Sequence, residues 1–233
     1  MTSPNNHFAQ NEILQGDCLE FMREMPDKSV DLILTDPPYG GILTKRNGNG
    51  LLKDAFTRYG GEQWDYKPEK EYFLEMKRVS KNQIIFGGNY FTDYLDPSAC
   101  WIVWDKNRIS AQSFSDCELA WTSFDGALKI VEITWDGFRM ETDHVKEIRQ
   151  HPTQKPVKLM EYCLEKFSKP GDVVLDPFMG SGSTVIACRR MERPYIGIEK
   201  EPVYFEIVKK RLEGVNNHRI DEWCFGRSAK GWI

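Results

Sequence analysis

Val173-Val174-Leu175-Asp176-Pro177-Phe178-Met179-Gly180-Ser181-Gly182-Ser183-Thr184 reads as a short apolar strand that enters a glycine-bearing loop and opens a helix. Glycines let a backbone approach a ligand closely, and the following helix presents free N–H groups at the positive end of its dipole. The Lys that precedes Ser or Thr in a P-loop is missing, which disfavours nucleoside triphosphate hydrolysis, and the G-x-G-x-x-G of a dinucleotide site is incomplete. Downstream, Tyr195-Ile196-Gly197-Ile198-Glu199 forms the next strand and ends in an acid about 20 residues on, the spacing at which a carboxylate takes ribose hydroxyls. The alternative for Glu199 is that it merely opens the next helix ahead of Pro202.

Working outward, further β-rich runs occur at Ile13-Leu14, Val30 to Leu34, Gln83 to Phe86, Trp101 to Trp104, Glu118 to Phe124 and Lys129 to Trp135. Between the runs, Cys18 to Met25, Glu69 to Val79, Val157 to Phe167, Ser183 to Met191 and Pro202 to Leu212 repeat apolar residues at steps of three and four, as amphipathic helices do. This alternation predicts an α/β fold with a largely parallel sheet and helices on both faces.

A second motif, Asp31-Leu32-Ile33-Leu34-Thr35-Asp36-Pro37-Pro38-Tyr39-Gly40, takes an apolar strand straight into Asp-Pro-Pro-Tyr. Neither proline can donate to a ladder, and each pushes its predecessor into an extended conformation. The result is a stiff turn at the carboxyl end of a strand, where open α/β sheets bind ligands. A carboxylate and a proline carbonyl beside an aromatic ring suit an exocyclic amino group on a planar heterocycle, because the acceptors take its two hydrogens and the ring stacks. A strand-ending turn with an incidental Asp is the structural alternative.

The 233 residues include 40% hydrophobic and 28% charged side chains, as in a soluble globular protein, and no apolar run approaches the roughly 18–20 residues of a membrane span. Met1 to His7 lacks the basic-then-apolar pattern of a signal peptide, so a cytoplasmic location is expected. Cys18, Cys100, Cys117, Cys163, Cys188 and Cys224 show neither disulfide-framework nor zinc-ligand spacing and read as reduced core residues, with no metal expected. The formal net charge of −4 requires any polyanion partner to be met by local basic patches. Lys45, Arg46, Lys53 and Arg58 provide one, in a glycine-rich loop read as mobile; Arg139 and Arg149 provide another, in a segment with a hairpin-like stretch.

Asp36-Pro37-Pro38-Tyr39 and Asp176 to Gly182 together resemble the catalytic and cofactor motifs of the amino-group DNA methyltransferases that use S-adenosylmethionine (SAM). The catalytic motif comes first, as in the permuted β group of that family. His151-Pro152-Thr153-Gln154-Lys155-Pro156 is similar to the element flanking the SAM methionine, and Gly16-Asp17-Cys18 to the one that meets its adenine. The resemblance spans roughly Ile13 to Leu212. It implies a class I SAM-dependent methyltransferase fold: a single domain over 1–233 with a mostly parallel seven-stranded sheet, helices on both faces, and circularly permuted motif order.

By the same resemblance, Asp36, Pro37, Pro38 and Tyr39 are catalytic. Asp17, Cys18, Thr153, Gln154, Lys155, Asp176, Phe178, Gly180, Ser181, Gly182, Ser183, Thr184 and Glu199 hold the cofactor. The implied substrate is adenine N6 in double-stranded DNA, flipped from the duplex onto Tyr39. DNA is expected against Lys45, Arg46, Lys53, Arg58, Arg139 and Arg149, with 41–66 as an insert loop and 125–150 as a short target-recognition segment, small enough to suggest a surface shared in a homodimer. Cytosine N4 is the nearest alternative. A methyltransferase acting on RNA or protein favours Asn at position 36, a non-catalytic SAM-binding module has no need of both Asp36 and Tyr39, and an oxidoreductase leaves the Asp-Pro-Pro-Tyr turn unexplained.

Overall fold

The computed structural model describes residues 10–40, 66–107, 115–134 and 154–217. Within them, β1 (Glu12–Gln15), β2 (Val30–Thr35), β3 (Ser80–Phe86), β4 (Trp101–Asp105), β5 (Cys117–Thr122), β6 (Lys129–Glu132), β7 (Val174–Asp176) and β8 (Tyr195–Glu199) form one sheet. Its order is β1-β8-β7-β2-β3-β5-β4-β6. Neighbours from β1 to β3 run parallel; β5 lies antiparallel between β3 and β4, and β6 is parallel to β4.

The centre of the sheet follows from the apolar runs. β2 is buried at all but one position, as expected for a strand covered on both faces. Alternation sends Leu32 and Leu34 to one core with Ile84 and Phe86, and Ile33 to the other with Ile85. Helices α1 (Cys18–Glu24) and α2 (Lys70–Val79) close the Ile33 side through Met22, Phe73, Met76 and Val79. On the Leu32 side lie α3 (Val157–Phe167), α4 (Ser183–Arg190) and α5 (Pro202–Asn217), with Leu159, Cys163, Ile186 and Val208 in that core.

The α/β architecture and its two-sided helical cover match the sequence reading, and the sheet has eight strands, as many as the β-rich runs, instead of the seven that the resemblance implies. Both outermost strands are only four residues long, yet each pairs its backbone along a neighbour, β1 on β8 and β6 on β4. β6 comes from the segment read as hairpin-like, but its partner is β4 in parallel, not the preceding β5. Among the described residues no helix is long and apolar enough to cross a membrane. Cys18, Cys100, Cys163 and Cys188 are free and buried, as expected of small core residues, whereas Cys117 is free and exposed.

Candidate active site at the ends of two adjacent strands

The sheet order brings together motifs far apart in the chain. β2 and β7 are direct parallel neighbours, with Leu32 opposite Val174 and Ile33 opposite Leu175, so Asp36 and Asp176 emerge side by side at their carboxyl ends. The Thr35 hydroxyl donates to Asp176 Oδ1 at 2.7 Å, and the Thr184 hydroxyl donates to the Leu34 carbonyl at 3.3 Å. Asp176 Oδ1 also accepts from the Phe178 N–H at 3.2 Å. Burial pushes the Asp176 carboxyl up to about 6, against the opposing pull of these hydrogen bonds. Asp176 and Thr184 therefore fasten the glycine loop to β2.

Both oxygens of Asp36 are engaged. The Tyr39 hydroxyl donates to Oδ1 at 2.6 Å and Lys155 Nζ to Oδ2 at 2.5 Å. Lys155 precedes α3, and its carbonyl accepts from the Ser183 hydroxyl at 2.6 Å, which ties this segment to the start of α4. Its ammonium also faces Glu118 Oε2 at 3.1 Å, and Glu118 Oε1 in turn pairs with Lys106 Nζ at 2.6 Å. Burial disfavours the Lys155 charge, but Asp36 and Glu118 outweigh it and hold the ammonium above its ordinary value. Burial also raises the Asp36 carboxyl, opposed by Lys155 and reinforced by Glu118. Placed on β5 on the same face as the buried Ala120 and Thr122, Glu118 belongs to no motif; its signal is an acid leading into the buried half of a strand.

The Tyr39 ring is stacked on Tyr90, with centroids 4.7 Å apart and planes 22° from parallel, and meets Phe91 edge-on at 6.2 Å. Gly87 makes this possible: its φ is +67°, and a Cβ there would overlap the Tyr39 ring. Left-handed backbone costs about 1–3 kcal/mol in a residue with a side chain. Gly87→Ala should accordingly lose about 1–3 kcal/mol of stability and at least about tenfold in turnover, measured by thermal unfolding and methyl-transfer rate. A variant with wild-type turnover would show that the Tyr39 stack is not needed.

Across the glycine loop, Gly180 N–H donates to Glu199 Oε2 at 2.7 Å and Glu201 N–H to Oε1 at 2.8 Å. Burial raises Glu199 to about 7 despite these bonds. The Ser181 carbonyl accepts from Arg211, and Gly182, at φ +84°, lies where a Cβ would press on Val208. Asp17 caps α1 by accepting from Leu19 N–H at 3.0 Å, and meets the Tyr72 hydroxyl at 3.1 Å and Lys200 Nζ at 3.2 Å. The Tyr72 and Phe178 rings lie 5.9 Å apart. The Gly16 N–H on the Glu199 carbonyl, at 3.0 Å, brings the Asp17 turn to the same end of the sheet.

The expected residues thus divide. Asp17, Phe178, Gly180 and Glu199 converge at the carboxyl ends of β1, β7 and β8, with Asp36 and Tyr39 next to them beyond β2. The Cys18 side chain lies in the core, Gln154 is buried, and the side chains of Ser183 and Thr184 bond the neighbouring backbone. Lys155 contacts the Asp36 carboxylate. Thr153, Lys45, Arg46, Lys53, Arg58, Arg139 and Arg149 lie outside the described residues, as do 41–65 of the insert loop and 135–150 of the recognition segment. Glu118, Lys106, Tyr90, Gly87, Tyr72 and Lys200 went unread in the sequence.

The two turns lie at the same end of adjacent parallel strands, and comparison with known structures gives the class of the fold. A complex of M1.HpyAVI with SAM superposes with a TM-score of 0.53 at 26% identity, covering 86% of this chain and 99% of that one. The fold also matches PvuII DNA methyltransferase, described as cytosine-N4-specific, at TM-score 0.60 and 17% identity over 90% and 91% of the two chains. In sequence, the chain is 30% identical to type II methyltransferase M.HinfI of Haemophilus influenzae, over 95% of this chain and 73% of that protein. It is 28% identical to M2.DpnII of Streptococcus pneumoniae, over 93% and 94%. A DNA methylase family model, N6/N4 methyltransferase, matches residues 97–210. The chain belongs to the N6/N4 family of DNA methyltransferases.

Proposed function

We propose that this protein transfers a methyl group from SAM to the exocyclic N6 of adenine in double-stranded DNA. The observation that carries the reading is the Asp36 carboxylate at the end of β2, beside the glycine loop of β7, with an aromatic hydroxyl on one oxygen and an ammonium on the other. The residues of the neighbouring groove suit the cofactor. Gly180 has φ +54° and nothing closer than the Phe178 carbonyl, at 4.0 Å, where a Cβ would stand, which leaves room for a ligand to approach its backbone. Tyr72 and Phe178 offer aromatic faces for an adenine ring, and the Glu199 carboxylate retains lone pairs for ribose hydroxyls. Gly180 to Gly182 lead into the N-terminus of α4, opened by Ser183 and Thr184, where a methionine end would be held.

Bound SAM supplies an electrophilic methyl group. Adenine N6 is a poor nucleophile because its lone pair is delocalised into the ring. Asp36 and the Pro37 carbonyl accept its two hydrogens and favour a pyramidal amine with the lone pair free for attack. The rigid Pro37-Pro38 backbone positions these acceptors, the step in which proximity and orientation contribute most. Tyr39 and Tyr90 provide a stacked aromatic wall for a base removed from the duplex. The Asp-Pro-Pro-Tyr form favours adenine over cytosine.

The test is transfer of labelled methyl from SAM in parallel reactions with double-stranded DNA, RNA and protein. Label in DNA is expected; label confined to RNA or protein would contradict the proposal. Glu199 gives a second readout. Its carboxyl stands near 7, and only the ionised form is a full acceptor for ribose, so SAM affinity should rise with pH through about 7 and level off above it. Glu199→Ala should bind SAM about 10- to 100-fold more weakly and lose that pH dependence, measured by calorimetry. Unchanged affinity would remove Glu199 from the site.

A further inference from the structure

We infer that Glu118 is a positioning residue for methyl transfer: by sharing the Lys155 ammonium with Asp36, it holds Lys155 in place on the Asp36 carboxylate. This inference rests on the methyltransferase reading of the Asp36 site.

The observations form one continuous line of alternating charge. Lys106 pairs with Glu118 at 2.6 Å, Glu118 with Lys155 at 3.1 Å, and Lys155 with Asp36 at 2.5 Å. The Lys155 side chain is only 6% exposed, so its charge needs compensation from within the protein. The groups facing it are Asp36 and the Tyr39 hydroxyl beyond β2, Glu118 on β5, and the rings of Tyr39 and Phe86, at 5.7 Å and 5.8 Å from Nζ. Glu118 and Asp36 are the two anions of this set. Lys106, after β4, balances the second anion, so the four charges sum to zero.

The arrangement has a direct chemical consequence. A buried carboxylate tends to take up a proton, and a protonated Asp36 would be a weaker acceptor for its share of the amine hydrogens, the other going to the Pro37 carbonyl. The ammonium on Oδ2 keeps Asp36 an acceptor. Without Glu118 the ammonium would lose one of its two anionic anchors among the described residues, and with it the position that fixes Oδ2 of Asp36. Transfer should therefore depend on a residue that touches neither base nor cofactor.

The test compares wild type, Glu118→Gln and Glu118→Asp in methyl transfer to DNA across pH, in SAM affinity, and in the 13Cε resonance of Lys155, assigned by its loss in Lys155→Arg. For Glu118→Gln, kcat should fall about tenfold or more with KM for DNA and SAM affinity within about twofold. The Lys155 13Cε resonance should shift as its second anionic neighbour is lost, while the pH profile over the assayable range keeps its shape. Glu118→Asp, which keeps the charge, should restore the resonance and part of the rate. Unchanged kcat and Lys155 resonance in Glu118→Gln would overturn the inference, as would equal losses of SAM binding and transfer, which indicate a merely structural role. Wild-type protein that methylates no DNA would instead defeat the methyltransferase reading, and the Lys155 resonance would still decide whether Glu118 holds Lys155 in place.

Discussion

Asp36→Ala should abolish measurable methyl transfer, a loss of at least about 10²- to 10⁴-fold, while SAM affinity stays within a fewfold of wild type. The separation follows from the position of Asp36 at the end of β2, with its oxygens on Tyr39 and Lys155, whereas the groove beside β7 and β8 is built from Gly180, Glu199 and Phe178. Removing the carboxylate deletes the acceptor for the amine and releases Tyr39 and Lys155 together. Rate under saturating SAM, with affinity measured by calorimetry, separates the two effects. Retained turnover would refute the role assigned to Asp36, and a parallel collapse of SAM affinity would make it a cofactor residue.

Lys155→Met should be nearly as damaging to catalysis and worse for stability. The substitution keeps a long apolar stem but leaves Asp36 and Glu118 close together without the ammonium between them. Breaking a buried ion pair by removing one partner typically costs about 3–5 kcal/mol, and Asp36 would relieve the strain by taking up a proton at neutral pH. Expected results are a fall in the thermal midpoint, kcat lowered by about 10²-fold or more, and SAM affinity close to wild type. This outcome discriminates between two assignments of the same residue. The family resemblance puts Lys155 with the SAM methionine, so a large loss of SAM affinity at unchanged kcat would favour that role over its contact with Asp36.

Much of the site was legible because each motif carries its own local physics. Asp36-Pro37-Pro38-Tyr39 stops a strand wherever it occurs, and Gly180 and Gly182 adopt the positive φ that such a loop requires. β2, β7 and β8 were readable as buried strands from their apolar runs. Glu118, Tyr90 and Gly87 were not, because each matters through a long-range neighbour. Glu118 reaches Lys155 only because β5 is inserted antiparallel beside β3, a strand order that no local spacing encodes. Gly87 and Tyr90 follow β3 and become significant only once β2 is known to lie alongside it. The count of seven strands came from the family resemblance, whereas Lys129 to Trp135, read as a β-rich run, does join the sheet over Lys129–Glu132, with a partner in β4 that no local spacing encodes.

Local physics also leaves the acceptor base open. An Asp-Pro-Pro-Tyr turn can hold any exocyclic amine, and the family includes N6 and N4 enzymes. The most direct measurement is therefore nucleoside analysis by mass spectrometry of unmethylated double-stranded DNA after incubation with the protein and isotopically labelled SAM. The account predicts label in N6-methyladenine, absent when Asp36→Ala replaces the wild type; label in N4-methylcytosine instead would contradict it.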